Sequence, residues 1–384
     1  MIFTGHEIAD IFKEKFSKEP KLFFSPGRIN LIGEHVDYND GFVMPAAIDK
    51  GVYFAIAPNN TDFINVFSAD MQDELHITLG GIHKMSGWKN YILGVADQLI
   101  QRGYPIGGFD VAFGGNLPVG AGLSSSAAVE CGLAFALNET FNLGISRIDI
   151  AVICQKAEHT YPGVQCGIMD QFASVMGKQN KVLLLDCNTL HYETLPFNAN
   201  DYTIVLINSL VHHSLDGGEY NVRRKQSEKG LGVLKKKFPS ANTFRDITPE
   251  QVIENEKAFD DRDVYNRCLY VTEEIARTKR AAGLLKADDI EAFGKLMFAT
   301  HDGLSRLYDV SCEELDFLVT LAKQHAEIIG ARMMGGGFGG CTINLIKKEK
   351  VVEITELMQT QYEQKFGIHA EVYVMSLSDG THAL

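Results

Sequence analysis

Pro118-Val-Gly-Ala-Gly-Leu-Ser-Ser-Ser-Ala-Ala-Val-Glu-Cys-Gly132 joins a glycine-punctuated loop to an apolar run with helical character. Gly120 and Gly122 free the backbone to turn and to approach a ligand closely. Ser124, Ser125 and Ser126 follow, and a serine at that point caps a helix N-terminus, whose free N–H groups and dipole favour an anion. A triphosphate needs that combination. The same residues would also serve as a plain glycine-rich turn into a capped helix. The Gly-Lys-Ser/Thr triplet of a Walker A loop is absent. The helix is expected over 125–141, and a strand over 109–113 precedes the loop.

Outward from this stretch, apolar runs alternate with helical patterns along the whole chain. Further strands are expected at 51–57, 182–186, 202–207, 341–346 and 371–377, and helices at 88–102, 146–159, 263–284, 290–301 and 312–329. Ile8, Ile11, Phe12 and Phe16 repeat at helical spacing near the start. Such alternation places the chain in the α/β (α+β) class. At 384 residues it is long for one core, and two domains are expected. The polar, proline-containing stretch 187–201 marks the boundary, giving 1–190 and 191–384. A second loop is expected at 209–218.

A net charge of −13 argues against a phosphate-backbone binder, which wants a basic face, and leaves room for a small anionic ligand in a local pocket. The seven cysteines contain no C-x-x-C pair, so paired zinc ligands are not indicated. Most fall in apolar stretches, as buried free thiols in a reducing compartment do. No basic and apolar leader opens the sequence, and no apolar run approaches the ~18 residues of a membrane span. A cytoplasmic, monomeric protein is expected, with no nucleic-acid or membrane partner.

Three other stretches can carry chemistry. Gly335-Gly-Gly-Phe-Gly-Gly340 spells G-x-G-x-x-G, but a helical pattern precedes it and a strand follows, the reverse of a dinucleotide fingerprint. It implies close backbone approach, to a ligand or within a packing turn. Ser25-Pro-Gly-Arg-Ile-Asn-Leu-Ile-Gly-Glu-His-Val-Asp-Tyr-Asn-Asp-Gly41 gathers Arg28, Glu34, His35 and Asp37. Carboxylates with a histidine suit a polyhydroxylated ligand. A solvated polar loop is the alternative, against which Ile29, Leu31 and Ile32 would draw the segment inside. Gly167-Ile-Met-Asp-Gln-Phe-Ala-Ser-Val-Met-Gly177 sets Asp170 among apolar residues, twelve positions after Glu158. A carboxylate on a helix near a phosphate loop could hold magnesium; both could equally form structural salt bridges.

Taken together, these stretches resemble the GHMP kinase family and, within it, the galactokinase branch. Gly27 to Asn39 is similar to that branch's signature, 117–128 to the family's phosphate loop and 330–341 to its third motif. Cys166 to Gln171, Glu219 to Arg224 and the stretch 301–315 also resemble it, so the likeness runs from about residue 24 to 346. It implies a two-domain fold with the active site in the cleft between domains, and transfer of the γ-phosphate of ATP to the C1 hydroxyl of galactose with Mg2+. Asp170 corresponds to the catalytic aspartate and Arg28 to its charge-stabilising partner. Glu34, His35, Asp37, Gly167 and Tyr220 correspond to sugar-binding residues. Pro118, Val119, Gly120, Ala121, Gly122, Leu123, Ser124 and Ser125 correspond to the ATP loop, and Ser124 and Glu158 to magnesium ligands. Trp88 resembles an aromatic near the adenine pocket, or is a core anchor. Val36 and Gly87 depart from residues common in relatives. N-acetylgalactosamine and arabinose kinases carry similar motifs; non-catalytic sensors of the branch have a shortened serine-alanine segment, which is intact here at 124–128.

Overall fold

The computed structural model describes residues 2–118, 120–198, 201–212 and 218–384. In chain order come helix α1 (Gly5–Phe16), strands β1 (Lys21–Asn30), β2 (Phe42–Val43), β3 (Pro45–Pro58), β4 (Phe63–Ser68) and β5 (Asp73–Thr78), and helix α2 (Lys89–Gln101). Strand β6 (Phe109–Gly115) and helices α3 (Ser125–Phe141), α4 (Arg147–Thr160) and α5 (Met169–Met176) follow. The hairpin β7 (Lys181–Asp186) and β8 (Tyr192–Pro196) leads to β9 (Tyr202–His212), then α6 (Gly218–Lys237), α7 (Pro249–Glu254), α8 (Arg262–Lys286), α9 (Ile290–Gly303) and α10 (Glu313–Ala322). Last are β10 (Ile328–Met333), β11 (Gly339–Lys347), α11 (Val351–Phe366), β12 (Glu371–Met375) and β13 (His382–Ala383).

Three sheets result, ordered β13-β1-β3-β6-β4-β5, β10-β11-β9-β12 and β2-β7-β8. The largest is antiparallel except where β4 runs parallel to β6. One face packs on α2, α3 and α4 through Phe54, Phe109, Val111, Leu93, Ile153 and Leu137. Each such side chain, fully buried, contributes about 1.5–3 kcal/mol. Gly132 admits this packing: a Cβ there would lie 2.2 Å from the ring of Phe54. The other face carries α1, whose Ile8 and Phe12 pack on Phe67 and Ala112. A capping box between Thr4 and Glu7 starts that helix.

The stretch 25–30, which could have been a solvated loop, is the inner half of β1. Every residue from Phe23 to Asn30 is buried, as are Leu31 and Ile32. Pro26 and Gly27 hide the strand in the sequence; the ladder to β3 shifts register between Pro26 and Arg28, as at a bulge. The expected helix over 312–329 is corrected: α10 ends at Ala322 and β10 begins at Ile328. There Gly330 lies so close to Gly294 of α9 that an added Cβ would stand 2.6 Å from its Cα, an approach no larger residue permits. The glycine turn 334–338 therefore joins two strands, and the dinucleotide reading fails because no helix follows it. The expected loop over 209–218 is partly corrected, since β9 continues to His212; 213–217 lie outside the described residues. Residue 190 sits in the β7–β8 turn, with its N–H bonded to the Asp186 carbonyl. Strand β12 joins the second sheet beside β9, while β13 returns to β1 in the first.

Candidate active site

Arg28 reaches inward from the buried half of β1. Its Nε and Nη2 donate to the two carboxylate oxygens of Asp170 at 2.7 and 2.8 Å, a bidentate pairing. Its Nη1 donates to the Gly122 carbonyl at 2.7 Å. One guanidinium thus fixes the glycine loop against the first turn of α5. Ser124 stands at the N-cap of α3 in the left-handed region, φ 57°, but its side chain makes no capping bond. It donates instead to Oδ2 of Asp170 at 2.5 Å. The expectation that serine caps this helix is corrected here: the left-handed backbone of Ser124 departs from the extended conformation of a capping residue, no side chain caps α3, and its first-turn N–H groups are open to an anion.

Glu34 and His35 lie just beyond β1. Oε2 of Glu34 accepts from Arg332 Nη1 at 2.9 Å and from the Gly335 N–H at 3.0 Å. Arg332 is wholly buried and also donates to the carbonyls of Asn30, Leu31 and Met333. His35 adopts φ 59° and is ringed by Tyr38, Tyr220 and Tyr308 at centroid distances of 5.9, 5.5 and 5.1 Å. Burial pushes its imidazole down to about 4, so the ring is neutral. Burial, with Asp170 and Glu34 adding, lifts Asp37 to about 7. Gly167 lies beneath Asp37, where a Cβ would stand 2.0 Å from its carboxylate. Val36 is buried against Gly41.

A cavity of about 260 Å³ brings Arg28, Glu34, His35, Asp37, Ser124, Glu158, Asp170 and Tyr220 together. A second, of about 350 Å³, runs between Pro118, Gly120, Gly122, Leu123, Ser124 and Ser125 on one side and Gly336 to Gly340 on the other. Ala121 turns its methyl into the core instead, among Leu31 and Met334. Val119 lies outside the described residues. A third cavity, of about 420 Å³, is lined by Trp88, Asn90, Tyr91, Phe113, Ser68, Asp70, Gly87, Ser125 and Ser126. Trp88 both walls it and anchors the core: it packs edge-on against Phe113 and donates from Nε1 to Asp73. The cavities share residues in series: Gly122, Ser124 and Gly336 line the first and second, and Tyr91, Ser125 and Ser126 the second and third.

Glu158, near the end of α4, is buried and lifted to about 7 by burial and by the facing charge of Asp170. Two carboxylates and the Ser124 hydroxyl on one cavity are hard oxygen donors that a divalent cation would suit, and the cation would relieve their repulsion. No group of three or more His, Cys, Asp or Glu capable of caging a metal occurs among the described residues; magnesium bound through one carboxylate, water and phosphates needs none.

Tyr38, Tyr270, Tyr308 and Arg332 were not singled out from sequence. Arg332 had a signal, a cation inside an apolar strand. Glu130 had the same one in α3, a carboxylate inside an apolar helix; burial holds it well above the usual range, and Gln171 lies between it and Glu158.

Against known proteins, residues 10–58 fit the galactokinase galactose-binding signature, 90–178 the N-terminal domain of GHMP kinases and 281–364 their C-terminal domain. The galactokinase of Thermosipho africanus is 40% identical over 356 residues, covering 93% of this chain and 97% of that one. The chain belongs to the galactokinase family of GHMP kinases. The galactokinase of Clostridium beijerinckii is also 40% identical, over 97% of both chains. The crystal structure of Lactococcus lactis galactokinase complexed with galactose superposes with TM-score 0.95 at 34% identity over 99% of each chain. Mevalonate kinase from Methanococcus jannaschii, at 19% identity and TM-score 0.67, shares the fold. The galactokinase signature spans β1 to β3 and so includes Arg28, Glu34, His35 and Asp37. No helix of the described residues is long and apolar enough to cross a membrane.

Proposed function

We propose that this chain transfers the γ-phosphate of ATP to the C1 hydroxyl of galactose, giving galactose 1-phosphate and ADP. The observation that carries this is the joining of the glycine loop, Arg28 and Asp170 in one hydrogen-bonded knot on the wall of a pocket whose other groups, Glu34, His35, Asp37 and Tyr220, suit sugar hydroxyls. The knot lies where a nucleotide passage and a polar pocket share residues.

In this reading galactose occupies the polar pocket and the phosphates of ATP lie along the passage, against the free N–H groups of α3. The base fills the cavity beside Trp88. Asp170 accepts the C1 hydroxyl and orients or removes its proton as the oxygen attacks phosphorus in line. Arg28 fixes that carboxylate in place through two hydrogen bonds and, with the loop N–H groups, offsets charge on the transferring group. Ser124 and Glu158 would hold magnesium, which neutralises phosphate charge. Gly167 lets Asp37 lie flat in the wall. Positioning and charge neutralisation supply most of the acceleration.

The test is ADP release from the purified protein with ATP, magnesium and, separately, galactose, N-acetylgalactosamine, arabinose, glucose and mevalonate. Turnover with galactose far above the rest is expected. Turnover only with another substrate overturns the sugar assignment; galactose binding without turnover makes the protein a sensor.

A further inference from the structure

We infer that Tyr308 is a positioning residue for sugar recognition, acting through Tyr38 to fix the ring of His35 and the nitrogen it presents to the cleft. The inference rests on the reading of that cleft as the galactose site.

The hydrogen bonds form one chain. Tyr308 Oη lies 2.9 Å from Tyr38 Oη, Tyr38 Oη lies 2.8 Å from His35 Nδ1, and His35 Nε2 lies 3.2 Å from the carbonyl of Gly336. A carbonyl can only accept, so Nε2 carries the hydrogen. A neutral imidazole then has a lone pair on Nδ1, and Tyr38 must donate to it. The Tyr38 oxygen is left to accept from Tyr308. The polarity of the chain therefore runs from Tyr308 to Gly336. His35 and Gly336 both face the sugar cavity, and at 3.2 Å the Nε2–H bond is long enough to be shared with a hydroxyl oxygen entering there.

Tyr308 is itself held firmly. It ends a π-helical turn, Leu304–Tyr308, and is wholly buried. The carbonyls of Tyr308 and Asp309 accept from Arg223, which sits on α6 one turn after Tyr220. Arg267 on α8 donates to the carbonyl of Leu307. The ring of Tyr308 packs at 4.8 Å on Tyr270, whose hydroxyl donates to the Glu34 carbonyl at 2.8 Å. The C-terminal half thus grips consecutive signature residues, Glu34 through Tyr270 and His35 through Tyr308 and Tyr38.

The experiment uses full-length Tyr308→Phe and Tyr38→Phe variants. Loss of one net hydrogen bond is worth about fivefold. Tyr308→Phe is expected to raise KM for galactose about fivefold, with kcat and KM for ATP within about twofold of the parent. In ¹⁵N-histidine spectra, the His35 signal, located by its loss in His35→Gln, is expected as the Nε2–H tautomer in the parent and as a mixture in Tyr38→Phe. An unchanged galactose KM in folded Tyr308→Phe, or equal losses for both substrates, overturns the inference. So does an Nδ1–H tautomer in the parent, a result that holds even if Tyr308→Phe fails to fold. If the parent does not turn over galactose at all, the site reading fails, while the tautomer spectra still judge the relay.

Discussion

Asp170 shows how much one side chain can be asked to do. It accepts two hydrogen bonds from Arg28 and one from Ser124, yet a quarter of its side chain remains open to the cavity. That leaves a face for a sugar hydroxyl on a carboxylate that cannot rotate. Asparagine in its place would turn an NH₂ toward a guanidinium that can only donate, so both the acceptor and its alignment are lost. Asp170→Asn is expected to lower kcat by about 10²–10⁴ and leave galactose affinity, read by calorimetry, within a few-fold. Near-full turnover with intact sugar binding would remove Asp170 from the chemistry. At this scale the sequence was most informative where the residue type carries chemistry: Arg28, Glu34, His35, Asp37, Glu158, Asp170 and Tyr220 all line one cavity. Tyr308 takes its meaning from a partner about 270 positions away, which no local pattern announces, and the local signal of Arg332, a cation among apolar residues, does not name its partner Glu34, about 300 positions away.

Elements were legible in proportion to how cleanly their periodicity showed. Helix α3 runs over its expected span, 125–141, because an apolar run began at a glycine loop and ended at a left-handed Asn142. Strand β1 is absent from the expected strands, since Pro26 and Gly27 interrupt its apolar pattern. Strand β10 was merged into a helix because Ile328 and Ile329 continue the apolar spacing of α10. Yet β10 matters to the site, for it delivers Arg332 to Glu34. A buried pair broken on one side leaves an uncompensated charge, at a cost of about 3–5 kcal/mol. Arg332→Met is therefore expected to lose about that much stability in urea unfolding. Adding Glu34→Gln removes the orphaned charge while keeping an acceptor for the Gly335 N–H, and should recover a substantial part of the loss without restoring galactose turnover. If the double variant is no more stable than the single one, Arg332 acts through packing and not through Glu34.

At the scale of the molecule, chain length points to two domains and the family resemblance implies a cleft between them, while the place of the last strand stays open, because pairing partners are set by tertiary packing and not by local pattern. The structure divides that segment: β12 stays with the second sheet, and the residues after it cross back to the first. Their landing place matters. The N–H and Oγ1 of Thr381 both donate to the Ser174 carbonyl, at 2.8 and 2.9 Å. The same hydroxyl meets Ser25 Oγ at 3.0 Å, and Ser174 Oγ donates to the Pro26 carbonyl at 2.9 Å. Gly380 lies so close to α5 that a Cβ would stand 2.4 Å from the Val175 carbonyl. Ser25 precedes Arg28 by three residues on β1, and Ser174 follows Asp170 by one turn on α5. Thr381 thus buttresses, from behind, the two elements whose side chains form the Arg28–Asp170 pair. Thr381→Val keeps the shape and removes the hydroxyl; the Ser174 carbonyl keeps the Thr381 N–H and Ser25 Oγ keeps Ser174 Oγ at 3.3 Å, so the cost is that of a net hydrogen bond, about 0.5–1.5 kcal/mol. Because the strain falls on the spacing of β1 and α5, kcat for galactose is expected to fall several-fold with KM for ATP unchanged, and removal of residues 378–384 should deepen both losses. Measured stability loss with kcat untouched would show that the strap holds the fold together without setting the geometry of the pair.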